Sequence, residues 1–232
     1  YFGDTAHVPY GNKSKATIEK YCFNIVKFLN TQKVKLIIVA CNTASAIALK
    51  TIQKHTDIPV LNVIDPCITV AVNNTKTNYL GVIGTKTTIS SQAYVKKIHA
   101  INKKIIVYSK ECPLFVPIIE ESLSNHSIAN IAAQLYLKKI PKEVDTLILG
   151  CTHYPLIKRT IQNNVSSNIS ILDSSIIVAD YVKEYMIQNS LLNQEHLKGK
   201  NNFYISDDVK KFENSIVSIM NAFNCKVKKV DL

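Results

Sequence analysis

The chain has 232 residues, of which 47% are hydrophobic and 19% charged, so it can bury a core as one large domain or two small ones. This composition excludes a disordered or collagen-like protein, and no apolar run approaches the roughly 20 residues that span a bilayer. The net charge of +11 comes from Lys in scattered groups, with Arg159 as the single Arg. Such scatter indicates a solvated surface that attracts small anions, and nucleic-acid binding is kept only as a minority alternative.

Short β-branched runs alternate with helical patterns along the chain. Strands are predicted over 35–40, 59–64, 79–83, 104–108, 145–149, 169–172, 203–205 and 226–230. Helices are predicted over 14–30, 43–54, 86–99, 114–138, 155–164, 174–188 and 207–223. Continuous apolar strands between helices predict an α/β fold with parallel sheets covered on both faces. Ligands of such sheets gather beyond the carboxyl ends of the strands.

Two of these strand ends carry a cysteine followed closely by a threonine. Cys41 follows "KLIIVA" and Cys151 follows "DTLILG", about half the chain apart, which suggests two similar lobes that face each other. Each cysteine is predicted to open a helix that Thr43 or Thr152 caps, where free amides lower a thiol pKa and bind carboxylates. For either segment alone, ordinary packing with a helix cap is the simpler interpretation.

A pair of thiols beside one anion site suits one kind of chemistry. A stereocentre next to a carboxylate is inverted when one base removes a proton and a second acid delivers a proton to the opposite face. The two groups exchange roles in the reverse direction, and a single thiol could not reach both faces.

An even number of six cysteines permits disulfides, but we expect reduced thiols, because the chain is large, rich in core residues and shows no recognisable leader. Cys22 is predicted to be a core thiol on a helix, Cys225 is interpreted in the same way, and Cys67 and Cys112 stay undecided. Cys151 and His153 form a lone C-x-H, which is too little for a structural zinc site. We therefore expect no metal.

Five stretches of the chain together carry a close resemblance to a known family. They are "YFGDTAHVPYGNKS", "VACNTASA", "GVIGTKTT", "CPLFVPIIEES" and "LGCTHYPL". In this order and spacing the sequence resembles the glutamate racemase family, cofactor-independent enzymes that interconvert L- and D-glutamate. The resemblance implies two pseudo-symmetric α/β lobes, each a mostly parallel sheet covered by helices, with the active site between them. We predict one lobe over residues 1–60 plus 173–232 and the other over 61–172.

The resemblance also implies roles for individual residues. Cys41 and Cys151 match the thiols that work on the two faces of the substrate α-carbon, His153 assists the second thiol, and Glu120 lies near it. For some of these residues the pattern leaves plainer alternatives: a solvated carboxylate at Glu120, a turn aromatic at Tyr10 and a helix-surface residue at Thr88. The residues that match substrate contacts are Tyr10, Gly11, Asn42, Thr43, Thr85, Thr88, Thr152 and again His153.

The implied partner is a small molecule, glutamate, with no nucleic acid, no membrane and no cofactor. No Lys lies in a context that suggests a pyridoxal Schiff base. The implied setting is cytoplasmic peptidoglycan precursor synthesis, and assembly as a homodimer is compatible with it. The family begins with a strand and an Asp-Ser-Gly turn that assists the first thiol, so we expect roughly thirty further residues before Tyr1.

Two alternative functions stay open. One is an aspartate racemase of the same superfamily, which uses the same paired thiols. The other is a non-catalytic module that binds an amino acid or a protein partner.

Overall fold

The computed structural model describes residues 1–193, 201–220 and 226–232. In these ranges the strands are β1 (Phe2–Gly3), β2 (Ile37–Val39), β3 (Val60–Asn62), β4 (Tyr79–Gly84), β5 (Ile106–Glu111), β6 (Thr146–Gly150), β7 (Ser170–Leu172), β8 (Asn202–Ile205) and β9 (Lys226–Lys229). The helices are α1 (Lys15–Thr31), α2 (Asn42–Ile47), α3 (Leu49–Lys54), α4 (Ile64–Asn74), α5 (Lys86–Ser90), α6 (Ala93–Ile101), α7 (Phe115–Glu120), α8 (Ser127–Leu137), α9 (Lys158–Gln162), α10 (Ser174–Gln188) and α11 (Val209–Met220). Two 3-10 helices cover Tyr10–Asn12 and Tyr154–Ile157.

The described strands pair in parallel and form three sheets. The largest sheet has the order β5-β4-β6-β7, a second consists of β2 and β3, and a third has the order β1-β8-β9. In the largest sheet Gly84, at the end of β4, is in register with Gly150, at the end of β6. The residues that follow these strands, Thr85 and Cys151, therefore leave the sheet side by side at its carboxyl edge.

The four-stranded sheet is buried on both faces. Leu147 and Leu149 pack on one face, beneath α7 and α8, while Ile148 between them packs on the other face, with α4 and α6. This alternation follows from the two-residue period of a strand. All three side chains are fully buried, and each contributes about 1.5–3 kcal/mol of hydrophobic stabilisation. A third cluster joins α1, α2 and β2.

The predicted strands are all present, each with ends within three residues of the prediction, so the α/β fold with helix-covered parallel sheets is confirmed. The predicted helices 43–54, 86–99 and 114–138 are each divided into two. Left-handed backbone at Gln92 and Ser122, both with φ of 60°, interrupts the last two of these. The end of the predicted helix 207–223 and Cys225 fall outside the described residues.

Helix α4 was not predicted from the sequence. Its sequence "IDPCITVAVNN" is rich in β-branched residues, which have low helix propensity, and it contains Pro66. The proline lies in the first turn, where it breaks no helical hydrogen bond. The side chain of Asn62 accepts hydrogen bonds from the backbone amides of Ile64 and Asp65 at 3.0 and 3.1 Å and so begins the helix. Burial against the sheet then overrides the weak propensity.

The predicted division into lobes at 60/61 and 172/173 stays a prediction. The four-stranded sheet falls within 61–172, whereas α10, from beyond that range, packs against α4 and β6. Among the described residues no helix is both long and apolar enough to cross a membrane.

Candidate active site

Three chain segments bring polar side chains to the carboxyl ends of parallel strands. Cys41 comes two residues after β2, Thr85 directly follows β4, and Cys151 directly follows β6. Helix α2 begins after Cys41 and packs against α5 and α6, which follow Thr85. This packing holds the first thiol segment against the edge of the sheet from which Thr85 and Cys151 emerge.

The first thiol belongs to Cys41, which is half-buried and forms the N-cap of α2. Burial raises the pKa of this thiol, while the nearby backbone amides of Ala44 and Thr43 and the Thr43 hydroxyl lower the pKa. The thiol is therefore neutral near pH 7, and hydrogen-bond donors are already in place to stabilise a thiolate when it forms.

The second thiol, of Cys151, is 6% exposed. Its pKa is raised to about 12, chiefly by burial and also by the charge of a Cys41 thiolate, while the backbone amides of His153 and Tyr154 act to lower the pKa. Amide donors two and three residues after the cysteine are thus common to both thiols. Because a negative charge on Cys41 opposes ionisation of Cys151, at most one of the two sulfurs is charged at a time.

A histidine and a carboxylate continue outward from Cys151. The Sγ of Cys151 lies 4.0 Å from Nδ1 of His153, and Nε2 of His153 lies 3.3 Å from Oε1 of Glu120. The side chains of His153 and Glu120 are 34% and 32% exposed. Thiol, imidazole and carboxylate therefore form a chain between the buried sulfur and solvent, along which a proton can be supplied to Cys151.

Three threonine hydroxyls meet at the junction of α2 and α5. The Oγ1 of Thr43 lies 2.9 Å from that of Thr85 and 3.0 Å from that of Thr88, and the last two are 2.9 Å apart. Thr85 also caps α5, since its hydroxyl accepts a hydrogen bond from the Thr88 amide. These three residues were predicted from the sequence as substrate contacts, and the structure brings their hydroxyls together. We call them the threonine cluster.

The loop before α1 reaches the threonine cluster through a glycine. A Cβ atom on Gly11 would lie 2.7 Å from Cβ of Thr85, a separation that real side chains do not reach. The hydroxyl of Thr87 donates to the carbonyl oxygen of Gly11 at 2.8 Å. Only glycine allows this loop to approach the start of α5 so closely.

The neighbouring Tyr10 has its hydroxyl directed to a different partner. Its side chain is buried, and the hydroxyl donates to the carboxylate of Asp4. Burial and this hydrogen bond raise the pKa of Tyr10 far above its ordinary value. Asp4 also accepts a hydrogen bond from Ser206 at 2.8 Å and contacts Nδ1 of His7 at 2.8 Å. The described contacts of Tyr10 thus anchor the loop that presents Gly11.

Asn42, between the first thiol and the threonine cluster, is 2% exposed. Its Oδ1 accepts a hydrogen bond of 2.6 Å from the hydroxyl of Tyr94, a residue of α6. Its Nδ2 has no hydrogen-bond partner among the described residues. A buried donor without an acceptor costs about 1–3 kcal/mol, which a ligand acceptor placed there would recover.

The predicted capping by Thr43 and Thr152 is wrong. Cys41 is the N-cap of α2 and makes no side-chain capping bond, and Thr43 lies inside the helix with its hydroxyl in the threonine cluster. After Cys151 the chain forms a turn and then the 3-10 helix Tyr154–Ile157, so no α-helix opens there. Thr152 lies in that turn with its side chain exposed.

The sequence analysis missed Asp4 and Tyr94. Asp4 was quoted within "DTAHVPYG" without a role, and its burial beside Tyr10 was the missing information. Tyr94 lies in "AYVKKI", where an aromatic residue at helical spacing indicates a core position and gives no sign of the contact with Asn42.

The other described cysteines lie in the core. Cys22, Cys67 and Cys112 are at most 4% exposed, and burial raises the pKa of each, to about 12 for Cys22 and Cys67. The prediction of a core thiol on α1 is confirmed for Cys22. In the part of the chain that the structure describes, no group of three or more His, Cys, Asp or Glu residues could hold a metal ion.

Comparison with known proteins identifies this arrangement. The sequence model of the Asp/Glu/hydantoin racemase family matches residues 2–182. The glutamate racemase of Geobacter metallireducens is 43% identical over 208 residues, which cover 89% of this chain and 77% of that protein. The glutamate racemase of Sulfurihydrogenibium sp. is 40% identical over 234 residues, with 100% and 86% coverage.

Solved structures agree with the sequence relatives. The glutamate racemase of Francisella tularensis, crystallised with D-glutamate, superposes with a TM-score of 0.92 at 38% identity and covers 100% of this chain and 86% of its own. A glutamate racemase isoform from Bacillus anthracis superposes with a TM-score of 0.94 at 32% identity and covers 100% of this chain and 87% of its own. The chain therefore belongs to the Asp/Glu/hydantoin racemase family and, within that family, to the glutamate racemases.

Proposed function

We propose that this chain interconverts L- and D-glutamate without a cofactor, and that Cys41 and Cys151 are the two bases, one on each face of the substrate α-carbon. The observation that carries the proposal is the pair of thiols itself. Both follow parallel strands, both have backbone amides two and three residues further on that lower the thiol pKa, and a charge on Cys41 opposes ionisation of Cys151. No other pair of thiols in the described chain has this arrangement.

The reaction needs only the movement of protons. The thiolate of one cysteine takes the proton from the α-carbon and becomes a thiol, while the electron pair of the C–H bond remains on the substrate as a carbanion. The thiol of the other cysteine then gives its proton to the opposite face and becomes a thiolate. The two cysteines end with exchanged roles, as the return reaction requires.

The raised pKa values suit this chemistry. An α-hydrogen of an amino acid is a very weak acid, and a thiolate whose pKa has been raised by burial is a stronger base than an ordinary cysteine thiolate. The amide donors beside each sulfur prevent the pKa from rising further. The same dry surroundings strengthen every electrostatic contact with the developing carbanion.

We assign substrate binding to the donors around the first thiol. The unpaired Nδ2 of Asn42 and the hydroxyls of the threonine cluster can donate to a carboxylate, and the positive net charge attracts the anion. Gly11 supports this assignment by allowing the loop to close on Thr85. Tyr10 and Thr152 remain predicted contacts, the first with its hydroxyl engaged by Asp4 and the second exposed.

The chain from Cys151 through His153 to Glu120 supplies the assisting groups. His153 is placed to exchange a proton with the sulfur through Nδ1, and Glu120 stabilises positive charge on the ring from the side of Nε2. We propose that these two residues act on the step at Cys151 only, because their described contacts lie on that side.

The wider setting follows from the reaction. D-glutamate is a building block of bacterial peptidoglycan, and we propose that the chain supplies it in the cytoplasm. The active site between two lobes, divided as predicted from the sequence, belongs to the same proposal. Assembly as a homodimer stays a prediction.

The test is an assay of both amino acids in deuterium oxide. We expect rapid interconversion of L- and D-glutamate with deuterium entering the α-position, little turnover of either aspartate enantiomer, and no effect of a chelator. Comparable rates with aspartate would favour an aspartate racemase. Binding of glutamate with no deuterium incorporation would favour a non-catalytic module, and restoration by zinc of activity lost to a chelator would point to a metal at Cys151 and His153.

A further inference from the structure

A tyrosine of helix α6, which covers the four-stranded sheet, holds the amide beside the first thiol. Tyr94 belongs to α6, which covers the four-stranded sheet, and its hydroxyl donates to Oδ1 of Asn42 at 2.6 Å. Both side chains are 2% exposed, so water does not compete for this hydrogen bond. The contact joins the helix that follows β4 to the residue next to Cys41.

This hydrogen bond decides which end of the Asn42 amide points away from Tyr94. A carboxamide has an acceptor oxygen and a donor nitrogen that are nearly identical in shape, so packing alone does not orient it. The Tyr94 hydroxyl occupies the oxygen, which leaves Nδ2 as a donor with no partner among the described residues. A donor suits an anionic ligand, whereas the reversed amide would present an oxygen to a carboxylate.

Tyr94 also touches the strand that leads to the second thiol. A Cβ atom on Gly150 would lie 3.3 Å from the Cε2 of Tyr94 and 2.7 Å from the carbonyl oxygen of Ile83. The absence of a side chain at Gly150 thus lets the tyrosine ring lie beside the end of β6, one residue before Cys151. A single ring therefore spans the segments that carry the two thiols.

We infer that Tyr94 is a positioning residue for substrate binding: it orients the Asn42 amide so that Nδ2 donates to a carboxylate of the substrate. The inference rests on the proposed function. Tyr94 itself contacts no reacting atom and acts through Asn42. Loss of its hydroxyl should weaken substrate binding in both directions and leave proton transfer at the sulfurs nearly unchanged.

The test is Tyr94→Phe, which removes the hydroxyl and keeps the ring. We expect KM for both glutamate enantiomers to rise about tenfold and kcat to stay within about threefold of the unaltered chain, since one charge-assisted hydrogen bond is misdirected. Calorimetric binding of glutamate, measured in parallel, should weaken by a similar factor.

Tyr136→Phe is the matched control. Tyr136 is also buried, at 8% exposure, and its hydroxyl accepts a hydrogen bond from the backbone amide of Leu114 at 3.2 Å, away from Asn42. Both variants should lower the melting temperature, but Tyr136→Phe should leave KM unchanged. Equal changes in KM for the two variants would overturn the inference, because they would show a general effect of a lost buried hydroxyl.

A double-mutant cycle separates positioning from simple packing. In the background of Asn42→Ala, Tyr94→Phe should cause no further rise in KM, because there is no amide left to orient. A second, independent tenfold rise would contradict a role through Asn42. If the unaltered chain binds glutamate without racemising it, the proposed function fails, while the binding data still decide the role of Tyr94.

Discussion

The two thiol segments are alike in their backbone and different in their side chains. Both cysteines follow a parallel strand, and backbone amides two and three residues further on lower the pKa of each thiol. Cys41 is half-buried, begins a true α-helix and has the Thr43 hydroxyl beside it. Cys151 is deeply buried, precedes a turn and has His153 and Glu120 instead.

This difference indicates two ways to stabilise the same chemical group. At Cys41 the stabilising donors are uncharged and belong to one short helix. At Cys151 a titratable imidazole connects the sulfur to a half-exposed carboxylate, so the proton supply is coupled to solvent. A reversible racemase needs two bases that are matched in function, and the structure matches their amide environments without repeating their side chains.

The largest effect is expected from removing either thiol. Cys41→Ser and Cys151→Ser should each lower racemisation of both enantiomers by about a thousandfold or more, because a serine hydroxyl is a far weaker acid than a thiol. The measurement is polarimetric or circular-dichroism turnover with each enantiomer. Cys67→Ala, which alters a buried core thiol, is the control and should keep near-normal turnover. Near-normal turnover in either serine variant would show that the two thiols are not an obligatory pair.

The next largest effect is expected from a change at Gly11, where the loop before α1 packs against the threonine cluster. Gly11→Ala places a Cβ atom 2.7 Å from Cβ of Thr85, so the loop or the threonine cluster must move. A displacement of about 1 Å there should lower kcat/KM about a hundredfold. Asn12→Ala, at the exposed neighbouring position, is the control. If Gly11→Ala keeps full activity with an unchanged melting temperature, close approach of this loop is not required.

A smaller and one-sided effect is expected on the Cys151 side. His153→Asn should lower kcat by about ten- to a hundredfold, and Glu120→Gln by about threefold, with Glu121→Gln, an exposed neighbour, unchanged. The step at Cys151 should then limit the rate, so the isotope effect of α-deuterated substrate should increase for one enantiomer and decrease for the other. Equal changes for both enantiomers would contradict an assisting role confined to Cys151.

The smallest expected difference is in reactivity toward alkylating agents. Burial raises the pKa of both thiols, so the thiolate fraction near pH 7 is low and alkylation should be slow, rising with pH toward the raised pKa values. Cys41 should react first because it is the more exposed of the two, and glutamate should protect it. Peptide mapping after partial reaction gives the order. Faster modification of Cys151 would contradict the conclusion that Cys41 is the more accessible thiol.

The parts of this site that are local in sequence could be predicted from it. The strand ends, the two thiols and the adjacent Asn42, Thr43 and His153 are consecutive or nearly consecutive residues, so apolar runs followed by polar ones locate them, while the roles of Asn42 and His153 are implied by the resemblance to the family. The alternation of strands and helices likewise predicts parallel sheets.

Features that depend on distant partners could not be predicted in this way. The hydroxyl of Thr43 was predicted to cap a helix, but Thr85 and Thr88, more than forty residues away in sequence, compete for it. Tyr94 has a role only through Asn42, 52 residues earlier. Helix α4 forms against its own propensity because the sheet buries it.

The most direct test of the two-base account is deuterium exchange at the α-carbon in the serine variants. Each variant keeps one thiol, which can remove a proton from its own face and return a deuteron from solvent to the same face. The account predicts that Cys41→Ser exchanges the α-hydrogen of one glutamate enantiomer only, and that Cys151→Ser exchanges that of the other enantiomer only. Nuclear magnetic resonance of recovered substrate measures this. Exchange of the same enantiomer by both variants would contradict the assignment of the two cysteines to opposite faces.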